Sequence, residues 1–170
     1  MPEITSPLRE VIESACAAVA AGIPPAPLDV VDRVLRWETP FIPVTPERTE
    51  QDIQFIVDFE LTRVQSVLPP QTEYLTVTLY LVGGDAVPLP SDRTQVGNRL
   101  AEIDRLNRDE PGVKFRFQPG DAQSGGWIVI ESDVRTDGLR PETVVSALER
   151  LLECAEARYW DVYQWAVTPG

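Results

Sequence analysis

Apolar residues recur along this chain with two periods, and the switches between them mark out its elements. In residues 7–21, Leu8, Ile12, Ala15 and Val19 fall three and four apart, so one side of a helix is apolar. Pro24, Pro25 and Pro27 end it, because proline cannot donate to a continuing helical ladder. Leu28, Val31 and Leu35 keep helical spacing, with Val34 and Trp37 nearby, which predicts a short second helix. Pro40, Pro43 and Pro46 break the next stretch into an irregular or edge segment, and residues 24–51 as a whole read as an irregular, proline-rich region. Phe55, Val57, Phe59 and Leu61 then alternate with Ile56, Asp58 and Glu60, the period of a strand. Helical spacing also exists there, through Ile53, Ile56, Val57, Leu61 and Val64. After the Pro69-Pro70 turn, Leu75, Val77, Leu79 and Leu81 alternate with Tyr74, Thr76, Thr78 and Tyr80, and Gly83-Gly84-Asp85 closes this strand.

The pattern is richest from residue 96 onward. Val96, Leu100, Ile103 and Leu106 form a helical stripe that starts after Pro90 and Ser91-Asp92 and stops at Pro111-Gly112. Val113, Phe115 and Phe117 alternate with Lys114, Arg116 and Gln118, a half-buried strand. Residues 119–126 hold three glycines, a proline, a serine and an aspartate and read as a turn. Trp127 to Ile130 is a continuous apolar run that suits a central strand, antiparallel to the previous one, with Phe115, Phe117, Ile128 and Ile130 inside. A last helix begins near Pro141 and carries Val144, Leu148, Leu151, Leu152, Ala155, Tyr159 and Val162 on a wide apolar face.

Several short motifs sit on these elements: Leu106-Asn107 at a helix end, Lys114-Phe115, the strand end Glu131-Ser132-Asp133-Val134, and Ala147-Leu148-Glu149-Arg150. In this order they resemble the YbjN-like family, which is similar in fold to the type III secretion chaperones. The resemblance covers roughly residues 96–163. It implies an α+β fold with helices on one face of a mainly antiparallel sheet of four or five strands. The implied order is α-β-β-β-α-β-β-α, with room for an extra short helix near Leu28. The residue patterns agree with that order from Leu75 onward.

Composition narrows the function. At 170 residues a single domain spanning 1–170 is expected. No apolar run approaches the ~20 residues of a membrane span. Glu3, Glu10 and Glu13 before the alanine-rich patch have the wrong sign for a signal peptide, so the cytoplasm is the expected compartment. The net charge of −12 argues against nucleic acid or an anionic membrane as a direct partner. Within residues 29–60, eight acids face three arginines, a concentration that could attract a basic partner.

Candidate chemistry is sparse. The chain has no histidine, which excludes histidine triads and proton shuttles and removes a usual zinc ligand. No phosphate-cradling motif occurs, and no cofactor or metal is expected. Cys16 and Cys154 lie in apolar helical patterns and read as buried free thiols. Glu131 and Asp133 share a strand face, where acid–base or hard-metal chemistry would need them to converge; at a strand end before a turn they read as solvated carboxylates. Asn107 reads as a binder of local backbone groups at the helix-to-strand turn. Tyr159, Trp160, Tyr163 and Trp165 spread around the last helix, so they either contact a partner protein or pack on a neighbour within the monomer.

The function expected is a non-enzymatic protein-binding module, chaperone-like or regulatory, acting as a homodimer on a protein client. The alternative is an acidic mimic or regulator of a nucleic-acid-binding protein. An enzyme or metal protein using Glu131 and Asp133 is the third reading.

Overall fold

The computed structural model describes residues 4–20, 29–31, 33–42, 53–64, 72–84, 93–119 and 126–167. Helix α1 (Ser6–Ala20) carries proline at its second position, where the missing N–H costs nothing. It turns Ile12, Ala15, Cys16 and Ala20 inward.

Two short strands follow, β1 (Asp29–Val31) and β2 (Val34–Glu38), and form an antiparallel hairpin. The short helix expected here is therefore corrected to a hairpin, and within the proline-rich region residues 29–31 and 34–38 are strands. The period of two decides it: Leu35 and Trp37 are buried while Val34, Arg36 and Glu38 are not. Arg33 takes the left-handed conformation of a tight hairpin turn, with φ of 79°. Leu28 and the prolines 24, 25, 27, 43 and 46 lie outside the described residues.

The hairpin extends a larger sheet. Strand β2 pairs with β3 (Ile56–Val64), and the pairing continues past it through Thr39 with Phe55 and Ile42 with Ile53. Strand β3 pairs with β4 (Thr72–Gly83), β4 with β6 (Trp127–Arg135), and β6 with β5 (Lys114–Gln118). Among the described residues the sheet has six antiparallel strands in the order β1-β2-β3-β4-β6-β5. The strand beyond the expected four or five is β1. The apolar run Trp127–Ile130 lies in an interior strand, as its composition required.

Register explains the layering. Leu35, Trp37, Val57, Phe59, Leu61, Leu75, Val77, Leu79, Ile128, Ile130 and Phe115 all project from one face and are buried. Phe117 on that face is half-buried. Against this face pack α1, α2 (Arg93–Asp109) and α3 (Pro141–Val167), and their buried residues join the strands in one hydrophobic cluster.

One expected core position moves. Leu100 is 48% exposed, and Arg99 is buried in its place, its Nε donating to the carbonyl of Ala166 at 2.9 Å. At 100° per residue Arg99, Ile103 and Leu106 fall within about 60° of one another, and Leu100 sits about 100° from Arg99. The α3 stripe runs as expected through Val144, Leu148, Leu151, Ala155, Tyr159 and Val162, with Leu152 only partly covered.

Two glycines at the end of β4 serve close approach. A side chain on Gly84, at φ 79°, would strike the ring of Trp127, and one on Gly83 would strike the carbonyl of Gly126. Among the described residues, no helix is long and apolar enough to cross a membrane.

Candidate protein-interaction surfaces

Three of the four aromatics singled out on the last helix, Tyr159, Trp160 and Tyr163, form one cluster on α3, and Trp165 packs against the core separately. Tyr159 is buried, and its ring meets Phe55 edge-on at 6.0 Å and Trp160 at 5.1 Å. Tyr163 completes the group, 5.3 Å from Trp160 and 6.0 Å from Tyr159. Burial pushes the Tyr159 phenol above its ordinary range, and nearby Tyr163 adds to the effect. Trp160, Tyr163 and Trp165 are half-buried, packed against the core on one side. Among the described residues, the indole N–H groups of Trp160 and Trp165 are buried without a hydrogen-bond partner, as is that of Trp37. A buried donor without an acceptor costs about 1–3 kcal/mol. These rings therefore serve the monomer core, with their indole N–H groups inside it.

The face of the sheet away from the helices is organised by a polar belt that crosses five strands. Arg36 on β2 grips Asp58 on β3 with two bonds, of 2.8 and 2.9 Å. Tyr80 on β4 donates to the same carboxylate at 2.9 Å, and Gln118 on β5 donates to the Tyr80 oxygen at 3.4 Å. Arg116 on β5 donates to Gln118 and holds Glu131 on β6 through both carboxylate oxygens, at 2.9 and 3.1 Å. Thr78 donates to Glu131 at 3.4 Å and closes the chain back to β4. The Arg36 guanidinium lies 5.7 Å from the Tyr80 ring centre, and Trp127 meets that ring edge-on at 5.3 Å. Burial, then the Asp58 charge, raises the Tyr80 phenol.

Glu131 and Asp133 are thus separated by their partners. Glu131 belongs to Arg116, and Asp133 is exposed and accepts from Thr76 at 2.7 Å. No cluster of three metal-binding side chains occurs among the described residues. Both cysteines are free and buried. Burial first, then Glu13 for Cys16 and Glu110 for Cys154, pushes each thiol up to about 12.

Asn107 binds backbone as expected, but at a strand edge. Its amide nitrogen donates to the carbonyl of Phe115 at 3.0 Å, and its oxygen accepts from the Phe115 N–H at 2.6 Å. One side-chain amide thereby replaces a missing neighbouring strand on β5. Sequence reasoning missed Arg36, Tyr80, Arg116 and Gln118, because their partners lie on strands distant in sequence.

No protein-family model matches this chain, and no curated protein matches it. Its fold is similar to a chain in the crystal structure of the ExsC–ExsE complex. The TM-score is 0.52 at 17% sequence identity, over 99% of this chain and 100% of that one. The α+β order is that of the secretion-chaperone-like fold.

Proposed function

We propose that this chain is a protein-binding module without enzymatic activity, chaperone-like or regulatory and related to the YbjN-like proteins, that works as a cytoplasmic homodimer on a protein client. The observation that carries the reading is the end-to-end likeness to a chain from a two-protein complex. At 17% identity that likeness transmits the fold, so dimer and client are inferences about this chain. We take residues 1–170 as one domain, because the buried residues of the three helices and the sheet form one cluster.

The half-buried rings of Trp160, Tyr163 and Trp165, beside Tyr159, are the contact surface proposed for the second copy. Trp and Tyr are typical interface anchors. Light scattering should report twice the 18.9 kDa chain mass at micromolar concentration. Trp160→Ala or Trp165→Ala should weaken the dimer more than loss of a surface glutamate. A monomer at high protein concentration overturns the dimer.

The charge of −12 keeps the nucleic-acid mimic as a second reading. Salt separates the two, since apolar burial is not screened and exposed charge is. A client recovered from native lysate should stay bound in 1 M salt and resist single-stranded DNA. Loss in salt together with displacement by DNA would replace the first reading with the second.

A further inference from the structure

The ladder between β5 and β6 ends before β6 does. Residues Lys114–Gln118 pair with Glu131 back to Trp127, so among the described residues Ser132 to Arg135 pair with β4 alone. The direction of the free groups can be read from Asn107. Because it takes both main-chain groups of Phe115, those groups point away from β6. The hydrogen-bonded pairs must then be Lys114 with Glu131, Arg116 with Val129 and Gln118 with Trp127. Continuing the alternation, the N–H and C=O of Asp133 and Arg135 point toward the same side, beyond the end of β5. On the other side, the Thr136 N–H bonds to the Glu73 carbonyl, the parity this assignment requires.

Beside this bare edge runs a groove of about 440 Å³. Ser132 to Arg135 form one wall, and Glu142, Ser146, Ala147 and Arg150 on α3 form much of the other. Arg150 donates to the Gly112 carbonyl at 3.2 Å and marks the end nearest β5. Four strand residues span about 13 Å. The groove therefore has the length of a short strand and one wall made of backbone donors and acceptors.

Its charge selects the occupant. Asp133 lies on the face of the belt and accepts only from Thr76, and among the described residues neither Asp133 nor Glu142 has an ion-pair partner. The two arginines are engaged, Arg135 with Asp137 at 3.5 Å and Arg150 with Gly112. A residue added opposite Asp133 would share its face, while alternate residues would turn toward Ala147 and Ser146 on α3.

We propose that this groove takes one extended, basic segment of a client protein as an added strand on β6, with an arginine or lysine opposite Asp133 and the alternate side chains against α3. The proposal rests on the protein-binding reading and names the surface and the segment.

The probe is a synthetic heptapeptide of alternating alanine and valine around one central arginine, titrated into ¹⁵N-labelled full-length protein. The amides of Asp133 and Arg135 should shift and gain protection from hydrogen exchange. A glutamate-centred peptide, or one N-methylated on alternate amides, should bind at least about fivefold more weakly, the scale of one or two lost hydrogen bonds. Asp133→Asn should narrow the gap between the arginine and glutamate peptides. Ser146→Trp, at an exposed helical position, should block binding and leave the far-ultraviolet spectrum unchanged. Equal binding of the methylated peptide, or shifts confined to another surface, overturns the groove. A native client that binds Ser146→Trp as well as wild type removes the groove while leaving the protein-binding reading intact.

Discussion

The two faces of the sheet are made by alternate residues of the same strands, yet different physics holds each. On the helix face Trp37, Val57, Phe59, Leu75 and Leu79 are buried by the helices packed over them. On the other face, Arg36, Asp58, Tyr80, Gln118, Arg116 and Glu131 link strand to strand by hydrogen bonds. Burial is non-directional and needs only apolar volume. The belt needs each donor opposite its own acceptor, so it depends on register. The helix face should therefore dominate stability, and the belt should hold the strands in alignment.

The largest effect should come from emptying the helix face. Phe59 is fully buried, and Phe59→Ala should cost about 3–5 kcal/mol in urea denaturation. A loss below about 1 kcal/mol would place the core elsewhere. Next comes the β5 edge. Asn107→Ala leaves the Phe115 N–H and C=O without their partner, for a loss of about 2 kcal/mol. Asn107→Asp keeps the acceptor and loses the donor, so it should fall between alanine and wild type. Equal stability of all three would mean that water serves that edge as well as Asn107 does.

The legibility of the molecule divides along the same line. The strands that could be read carry a local signal: alternation in Leu75 to Leu81 and Val113 to Phe117, and an unbroken apolar run in Trp127 to Ile130. The hairpin at residues 29–38 was misread because Leu28, Val31 and Leu35 also satisfy helical spacing, and only pairing with β3 breaks the tie. Leu100 was misplaced because a buried arginine was not an expected core residue; the Ala166 carbonyl that receives Arg99 is 67 residues away. The belt was illegible for the same reason, since Arg36 and Asp58 meet only once two strands are in register. The aromatics of α3 were found by composition, but their packing on Phe55 needed the fold.

A smaller effect tests the belt itself. Arg36 is partly exposed, so solvent screens its bond to Asp58, and Arg36→Gln should cost only about 1 kcal/mol, less in high salt. The direct bond from Tyr80 to Asp58 predicts coupling. In a double-mutant cycle Arg36→Gln and Tyr80→Phe should be non-additive by about 0.5 kcal/mol or more. The more exposed pair of Arg63 and Glu73 is the control, and Arg63→Gln should change stability by no more than measurement error. Strict additivity in the first cycle would reduce the belt to independent surface contacts.

The smallest effect is expected from pH near neutrality, and it sets the buried thiols of the helices against the polar face. With no histidine, no side chain of this sequence has an ordinary titration range between about pH 6 and 8. Cys16 and Cys154 are raised from 9.0 to about 12 in the folded state. A raised folded value stabilises fully below the unfolded pKa and is lost as pH climbs through the folded one. The melting temperature should therefore be level from about pH 6 to 8.5 and should fall progressively between 9 and 12. Tyr80 and Tyr159, also raised, should add to the decline above about 10. Replacing both cysteines with alanine should delay the onset of the decline to the tyrosine range. Native protein at pH 8 should resist iodoacetamide at both thiols and react fully in urea. A slope in melting temperature between pH 6 and 8, or rapid alkylation of the native protein, would show that these helices do not seal Cys16 and Cys154 as the structure places them.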